Sequence, residues 1–179
     1  MSSSRNVEPP FVARSEVPMI LIVMGPTGVG KTTTGSMLAR NLGWEFVDAD
    51  IFHSRENVEK MKLGIPLDDV DRAPWIKMIR SKMEQWIADH RNVVLACSAL
   101  TKSYREQLCS GPEVKLVYLK GTYEQIYKRL RSRTGHFADE QLLASQFAIL
   151  EEPSDAVTVE VTRTPEEIVT EIRQRLGLA

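Results

Sequence analysis

Apolar residues fall along this chain in short dense runs, separated by stretches where they recur at helical spacing. Met19-Ile-Leu-Ile-Val-Met24 is an unbroken apolar run, the pattern of a central strand buried on both faces. Lys31 to Asn41 is helix-compatible, and Gly43 stops it. Trp44 to Val47 predicts a second strand. Ser54 is placed to cap a helix that ends before Gly64 and Pro66. Asp71 reads as the next N-cap, with Pro74 tolerated in the first turn. Trp75, Ile76, Ile79, Met83, Trp86 and Ile87 then follow at helical spacing, which places the tryptophans in the core. Val93 to Cys97 predicts a third strand, Lys102 to about Cys109 a helix, and Val114 to Leu119 a fourth strand. Thr122 and Gln125 form a capping box for a helix through Arg133. Gly135-His136-Phe137 interrupts it, and Asp139 opens another helix ending near Leu150. Val157 to Val161 is a fifth strand. Thr164, Pro165 and Glu167 open a last helix that turns Ile168, Val169, Ile172 and Leu176 inward.

Strands alternating with helices predict a parallel sheet covered on both faces. The expectation is one five-stranded α/β domain over residues 19–179, with insertions at the carboxyl ends of the strands, where open sheets bind ligands. A lid insertion is expected over about 133–153. Residues 1–18 contain Ser, Glu and Pro without a basic-then-apolar leader pattern, and read as a mobile arm.

Composition narrows the function. With 23 basic and 24 acidic residues among 179, the net charge is −1. That balance gives no global attraction to nucleic acid or to an anionic membrane. The longest apolar run is far too short to span a bilayer, which needs roughly 20 apolar residues. Cys97 and Cys109 lack metal-type spacing, so a reduced, cytoplasmic protein is expected.

The segment between the first strand and first helix carries chemistry. Gly25-Pro26-Thr27-Gly28-Val29-Gly30-Lys31-Thr32 fits Gly-x4-Gly-Lys-Thr in a strand–loop–helix context. Glycines let successive N–H groups converge on phosphate oxygens, and the following helix adds its positive end. Lys31 supplies a mobile charge to the outer phosphates, and Thr32, beside Thr33, a hydroxyl for Mg²⁺. A nucleoside triphosphate, ATP, is the expected ligand.

Asp48 and Asp50 directly follow the second strand. Phosphoryl transfer to an alcohol needs a group that takes the hydroxyl proton and negative charge near Mg²⁺. These carboxylates can divide that work, Asp50 as base and Asp48 toward the metal; a solvated turn is the bland alternative. His53 borders the same edge. Lys128, Arg129, Arg131 and Arg133 precede Gly135, and Arg129 and Arg133 share a helix face. Such a pair can close on phosphates, although a cationic helix C-terminus is favourable by itself.

Several stretches together resemble the gluconokinases, small P-loop kinases acting on the 6-hydroxyl of D-gluconate. They are Asp48-Ala-Asp-Ile-Phe-His53, Asn57-Val-Glu-Lys-Met61, Gly64 through Trp75, Cys97-Ser-Ala-Leu100 with Tyr104-Arg105, Gly135-His-Phe137, Ser145-Gln-Phe147 and Leu150-Glu-Glu-Pro153. The resemblance covers nearly everything from Ile20 onward. It implies that Asp50 is the catalytic base, that His53, Lys60 and Arg72 surround the acid end of the sugar, and that Ser98 and Arg105 complete the pocket. It places His136 in a lid over the nucleotide and implies a homodimer. Ser54 stands where the family usually has Pro, Asp68 where Asn is common, and Thr101 where Lys is common. An ion pair with Asp71 is the alternative for Arg72, and a solvated surface for Lys60. Shikimate kinase, another small-molecule kinase, or a nucleotide-binding switch without transfer are the competing readings.

Overall fold

A computed structural model describes residues 17–133 and 137–178. The proposed arm, apart from Val17 and Pro18, lies outside the described residues.

Five strands form one all-parallel sheet in the order β2-β3-β1-β4-β5. They are β1 (Ile20–Met24), β2 (Glu45–Asp48), β3 (Val93–Ala96), β4 (Val114–Lys120) and β5 (Val157–Glu160). The helices are α1 (Lys31–Leu42), α2 (Arg55–Lys62), α3 (Asp69–Ala88), α4 (Lys102–Leu108), α5 (Tyr123–Arg133), α6 (Phe137–Ile149) and α7 (Pro165–Leu176), with a short 3₁₀ turn at Ala49–Phe52. Strand β1 is central and wholly buried, as its unbroken apolar run requires.

Its side chains alternate between two cores. Ile20, Ile22 and Met24 pack with Trp75, Ile79 and Met83 of α3 and with Leu108 of α4. Leu21 and Val23 pack with Leu38 of α1, Ile126 of α5 and Ile172 of α7. Helices therefore cover both faces, as the alternating pattern predicts. The chain passes from β1 to the edge strand β2 and returns to β3 between them. That crossover opens a crevice at the carboxyl ends of the strands, beside the segment Gly25–Lys31.

Local caps follow the sequence closely, with one shift. The Thr122 N–H donates to the Gln125 side chain at 2.9 Å and the Gln125 N–H to the Thr122 hydroxyl at 3.3 Å, and Thr164 and Glu167 form the second expected capping box. Helix α3, however, starts three residues before the expected place. Asp68 is its N-cap, accepting the Asp71 N–H at 2.8 Å, and Asp71 answers from the third position of the capping box. Either aspartate suits a cap; the reciprocal pair decides between them. Helix α6 begins at Phe137, ahead of the expected Asp139. Among the described residues no helix is long and apolar enough to cross a membrane.

Candidate active site

The phosphate loop turns on glycine. Gly25 has φ 145° and Gly28 φ 76°, backbone that L-residues rarely adopt. A Cβ on Gly28 would also lie 2.6 Å from the Leu130 side chain, so α5 packs directly on the loop. Gly30 caps α1 from the left-handed region without any side-chain bond. The N-terminal N–H groups of α1 are thus left to a ligand. The Lys31 ammonium donates to the Pro26 carbonyl at 3.0 Å. Burial lowers its pKa, against the opposing pull of Asp50, Cys97 and Asp48.

Strand β2 delivers the carboxylates to this loop. One Asp48 oxygen accepts the Thr32 hydroxyl at 2.9 Å, and the other accepts the Asp50 N–H at 3.1 Å. A hydroxyl and a carboxylate oxygen side by side suit a hard cation. Among the described residues no cluster of three or more His, Cys, Asp or Glu could hold a metal by itself. The Thr32–Asp48 pair fits a hard divalent cation such as Mg²⁺. The Asp50 carboxylate stays 69% accessible. Crowding by the surrounding protein, then the Asp48 charge, still raises its pKa, with Lys31 opposing.

A cavity of about 60 Å³ joins these groups to the rest of the site. Thr27, Lys31 and Asp50 line one part of it, His53, Arg72, Trp75 and Ser98 another, and Leu142 and Gln146 of α6 cover it. His53 lies flat on Trp75, and the Trp75 indole N–H donates to the Ala49 carbonyl at 2.8 Å. One core tryptophan thus fixes both His53 and the turn that carries Asp50. Burial, then the Arg72 charge, pushes the His53 pKa down to about 4, so the imidazole is neutral near pH 7. The guanidinium carbon of Arg72 stands 5.8 Å from the Tyr104 ring centre. The Tyr104 hydroxyl is hydrogen-bonded to Asp69, which ties α4 to the start of α3.

Two of the residues expected at the acceptor are elsewhere. The Lys60 ammonium sits on the Asp71 carboxylate at 2.7 and 2.8 Å and does not line the cavity. With Asn57, which donates to the Asp71 carbonyl at 2.8 Å, it fastens α2 to the start of α3. Arg105 is buried, and its guanidinium donates at 3.0 Å to the carbonyls of both Ala99 and Leu100. Ala99 has φ 42°, a conformation costing an L-residue about 1–2 kcal/mol. Arg105 therefore holds the strained turn that carries Ser98, whose carbonyl accepts the Gly25 N–H at 3.4 Å. A helix-borne arginine beside a short strand gives no sequence signal that separates this inward backbone role from a ligand contact.

The arginines of α5 divide. Arg129 donates to the Val29 carbonyl at 3.5 Å and to the Val161 carbonyl, bridging the phosphate loop to the end of β5. The Arg133 side chain and His136 lie outside the described residues. The three departures from the gluconokinase pattern share one local role. Ser54, Asp68 and Thr101 are the N-caps of α2, α3 and α4, each accepting a backbone N–H from the helix it opens. Gln146 is the site residue that the sequence reading leaves out. Its only signal was the Ser145-Gln146-Phe147 stretch, which carries family resemblance without a role attached.

Residues 27–177 match the family model described as shikimate kinase. A probable gluconokinase of Mus musculus is 41% identical over 182 aligned positions, covering 90% of this chain and 99% of the mouse protein. The gluconokinase of Gluconobacter oxydans is 40% identical over 159 positions, covering 87% of this chain and 89% of that protein. The crystal structure of a gluconokinase from Sinorhizobium meliloti superposes with a TM-score of 0.80 at 38% identity, covering 91% of this chain and 94% of the other.

Proposed function

Because the chain belongs to the gluconokinase family, we propose that it moves the γ-phosphoryl group of ATP to the 6-hydroxyl of D-gluconate, giving 6-phosphogluconate and ADP. The carrying observation is the shared cavity: Lys31 of the phosphate loop, the raised-pKa Asp50, and Arg72 all line it.

The N–H groups from Gly28 to Thr33 take the phosphates, and Lys31 leaves the Pro26 carbonyl for the outer phosphate oxygens. Thr32 and Asp48 would hold Mg²⁺, which would draw off charge from the outer phosphates. Asp50 accepts the 6-hydroxyl proton as that oxygen bonds to the γ-phosphorus and the bond to the β–γ bridging oxygen breaks. Its raised pKa makes it a better proton acceptor than an ordinary aspartate. The Arg72 fork takes the gluconate carboxylate through two charge-assisted hydrogen bonds. Neutral His53 and the Ser98 hydroxyl serve the sugar hydroxyls, while Lys60 and Arg105 support the site from behind.

A cavity of about 60 Å³ has room for a few waters and not for a six-carbon acid. Helix α6 therefore yields to admit the acceptor and closes over it, excluding water as a competing nucleophile. Segment 133–153 is the lid in this reading, and Arg133 and His136 are its candidate contacts to phosphate and substrate. The residues from 19 onward act as one kinase domain in the cytoplasm.

ADP release measured with gluconate, shikimate and nucleoside monophosphates in turn tests the proposal. Turnover that depends on gluconate is expected; turnover only with another acceptor overturns it.

A further inference from the structure

Helix α6 reaches the phosphate loop through Gln146, whose side-chain oxygen lies 2.7 Å from the Thr27 nitrogen, across 119 residues of sequence. A backbone N–H can only donate, so the atom facing Thr27 is the amide oxygen, and the amide NH₂ is the end that remains. Thr27 is the third residue of the loop and lines the same cavity as Asp50, as does Gln146 itself. Leu142, one helical turn earlier on α6, shares that face and lines the cavity too. With α6 against the loop, Asp50 lines the cavity from the β2 side and Gln146 from the α6 side.

We infer that Gln146 is a further catalytic residue for phosphoryl transfer. Its oxygen registers α6 on Thr27, and its NH₂ donates to the oxygens of the transferring phosphoryl group. Those oxygens are acceptors only, and a donor placed before the reaction stabilises the charge they carry at the midpoint of transfer. The contact forms only when α6 is against the loop, so lid closure and alignment of the reacting group become one event. This rests on the phosphotransfer reading above.

Gln146→Glu separates registration from donation, because a carboxylate still accepts the Thr27 N–H and has no donor. Gln146→Met removes both. Affinities for ADP with Mg²⁺ are measured with and without fluoroaluminate, a mimic of the transferring phosphoryl group, alongside kcat with gluconate. Both variants are expected to bind ADP within about threefold of the parent. Each should lose at least about tenfold of the affinity gained from fluoroaluminate, and about 10²-fold in kcat, the scale of losing one such donor. A Gln146→Glu protein that keeps the full fluoroaluminate gain overturns the inference and leaves Gln146 a staple. If the parent fails to turn over gluconate while Gln146→Glu still loses that gain, the acceptor reading fails and the inference stands.

Discussion

His53 lies face to face with Trp75, their ring centres 4.4 Å apart and their planes 8° from parallel. The imidazole side chain is 4% accessible, and its Nδ1 is buried with no hydrogen-bond partner among the described residues. Burial beside the Arg72 guanidinium holds it neutral, with a pKa of about 4 against 6.5 for a free histidine.

That shift links stability to pH. Between about pH 4 and 6.5 the unfolded chain binds a proton that the folded one refuses, so stability rises with pH across this window. The contribution is complete above about 6.5 and is lost as pH falls toward 4, at most about 3 kcal/mol. His53→Phe keeps the stack and cannot titrate. Urea denaturation at pH 5 and pH 7 should therefore show a smaller pH difference in the variant than in the parent.

Asp50 carries the acid limb of the rate profile. As pH falls through its raised pKa the base is protonated, so kcat/KM should fall off above the pH expected of an ordinary aspartate. Asp50→Asn should lower kcat by about 10²–10⁴ while leaving ATP binding within a few-fold. Near-normal turnover in that variant would remove Asp50 from the proton transfer.

Asp48 is expected to act twice. Asp48→Asn removes a charge that raises the Asp50 pKa, so the acid limb should move to lower pH. The same change takes a carboxylate from the oxygen pair with Thr32, so half-saturation should need more Mg²⁺. Titrating Mg²⁺ at fixed ATP, at several pH values, reads both effects.

Arg72 and Arg105 should separate cleanly. Arg72→Ala should raise the gluconate KM by about 10²-fold, the worth of two charge-assisted bonds, with ATP KM nearly unchanged. Arg72→Lys should recover only part, since an ammonium lacks the planar fork. Arg105→Met should instead lower stability by about 2 kcal/mol, because two carbonyls of a strained turn lose their donor. Equal loss of gluconate and ATP affinity in Arg72→Ala would move that residue out of the acceptor site.

The sheet was legible because its signals are local. The Met19 to Met24 run allows little but a strand buried on both faces, and Thr122–Gln125 and Thr164–Glu167 are caps complete within four residues. The phosphate loop is equally self-contained. What the pattern left open depends on long-range geometry. Lys60 meets Asp71 eleven positions away, Gln146 meets Thr27 across 119 positions, and Trp75 looks like any core tryptophan until His53 is found on its face. The start of α3 failed for another reason: Asp68 and Asp71 are both good caps, and only their reciprocal bonds distinguish them.

The central claim is the identity of the acceptor, and ³¹P NMR of a single competition reaction tests it most directly. The protein, Mg²⁺ and ATP are mixed with equal gluconate and shikimate. The account predicts ADP and one new phosphomonoester resonance, coupled to the two protons of gluconate C6. A phosphomonoester on shikimate, or loss of ATP to inorganic phosphate alone, would contradict it.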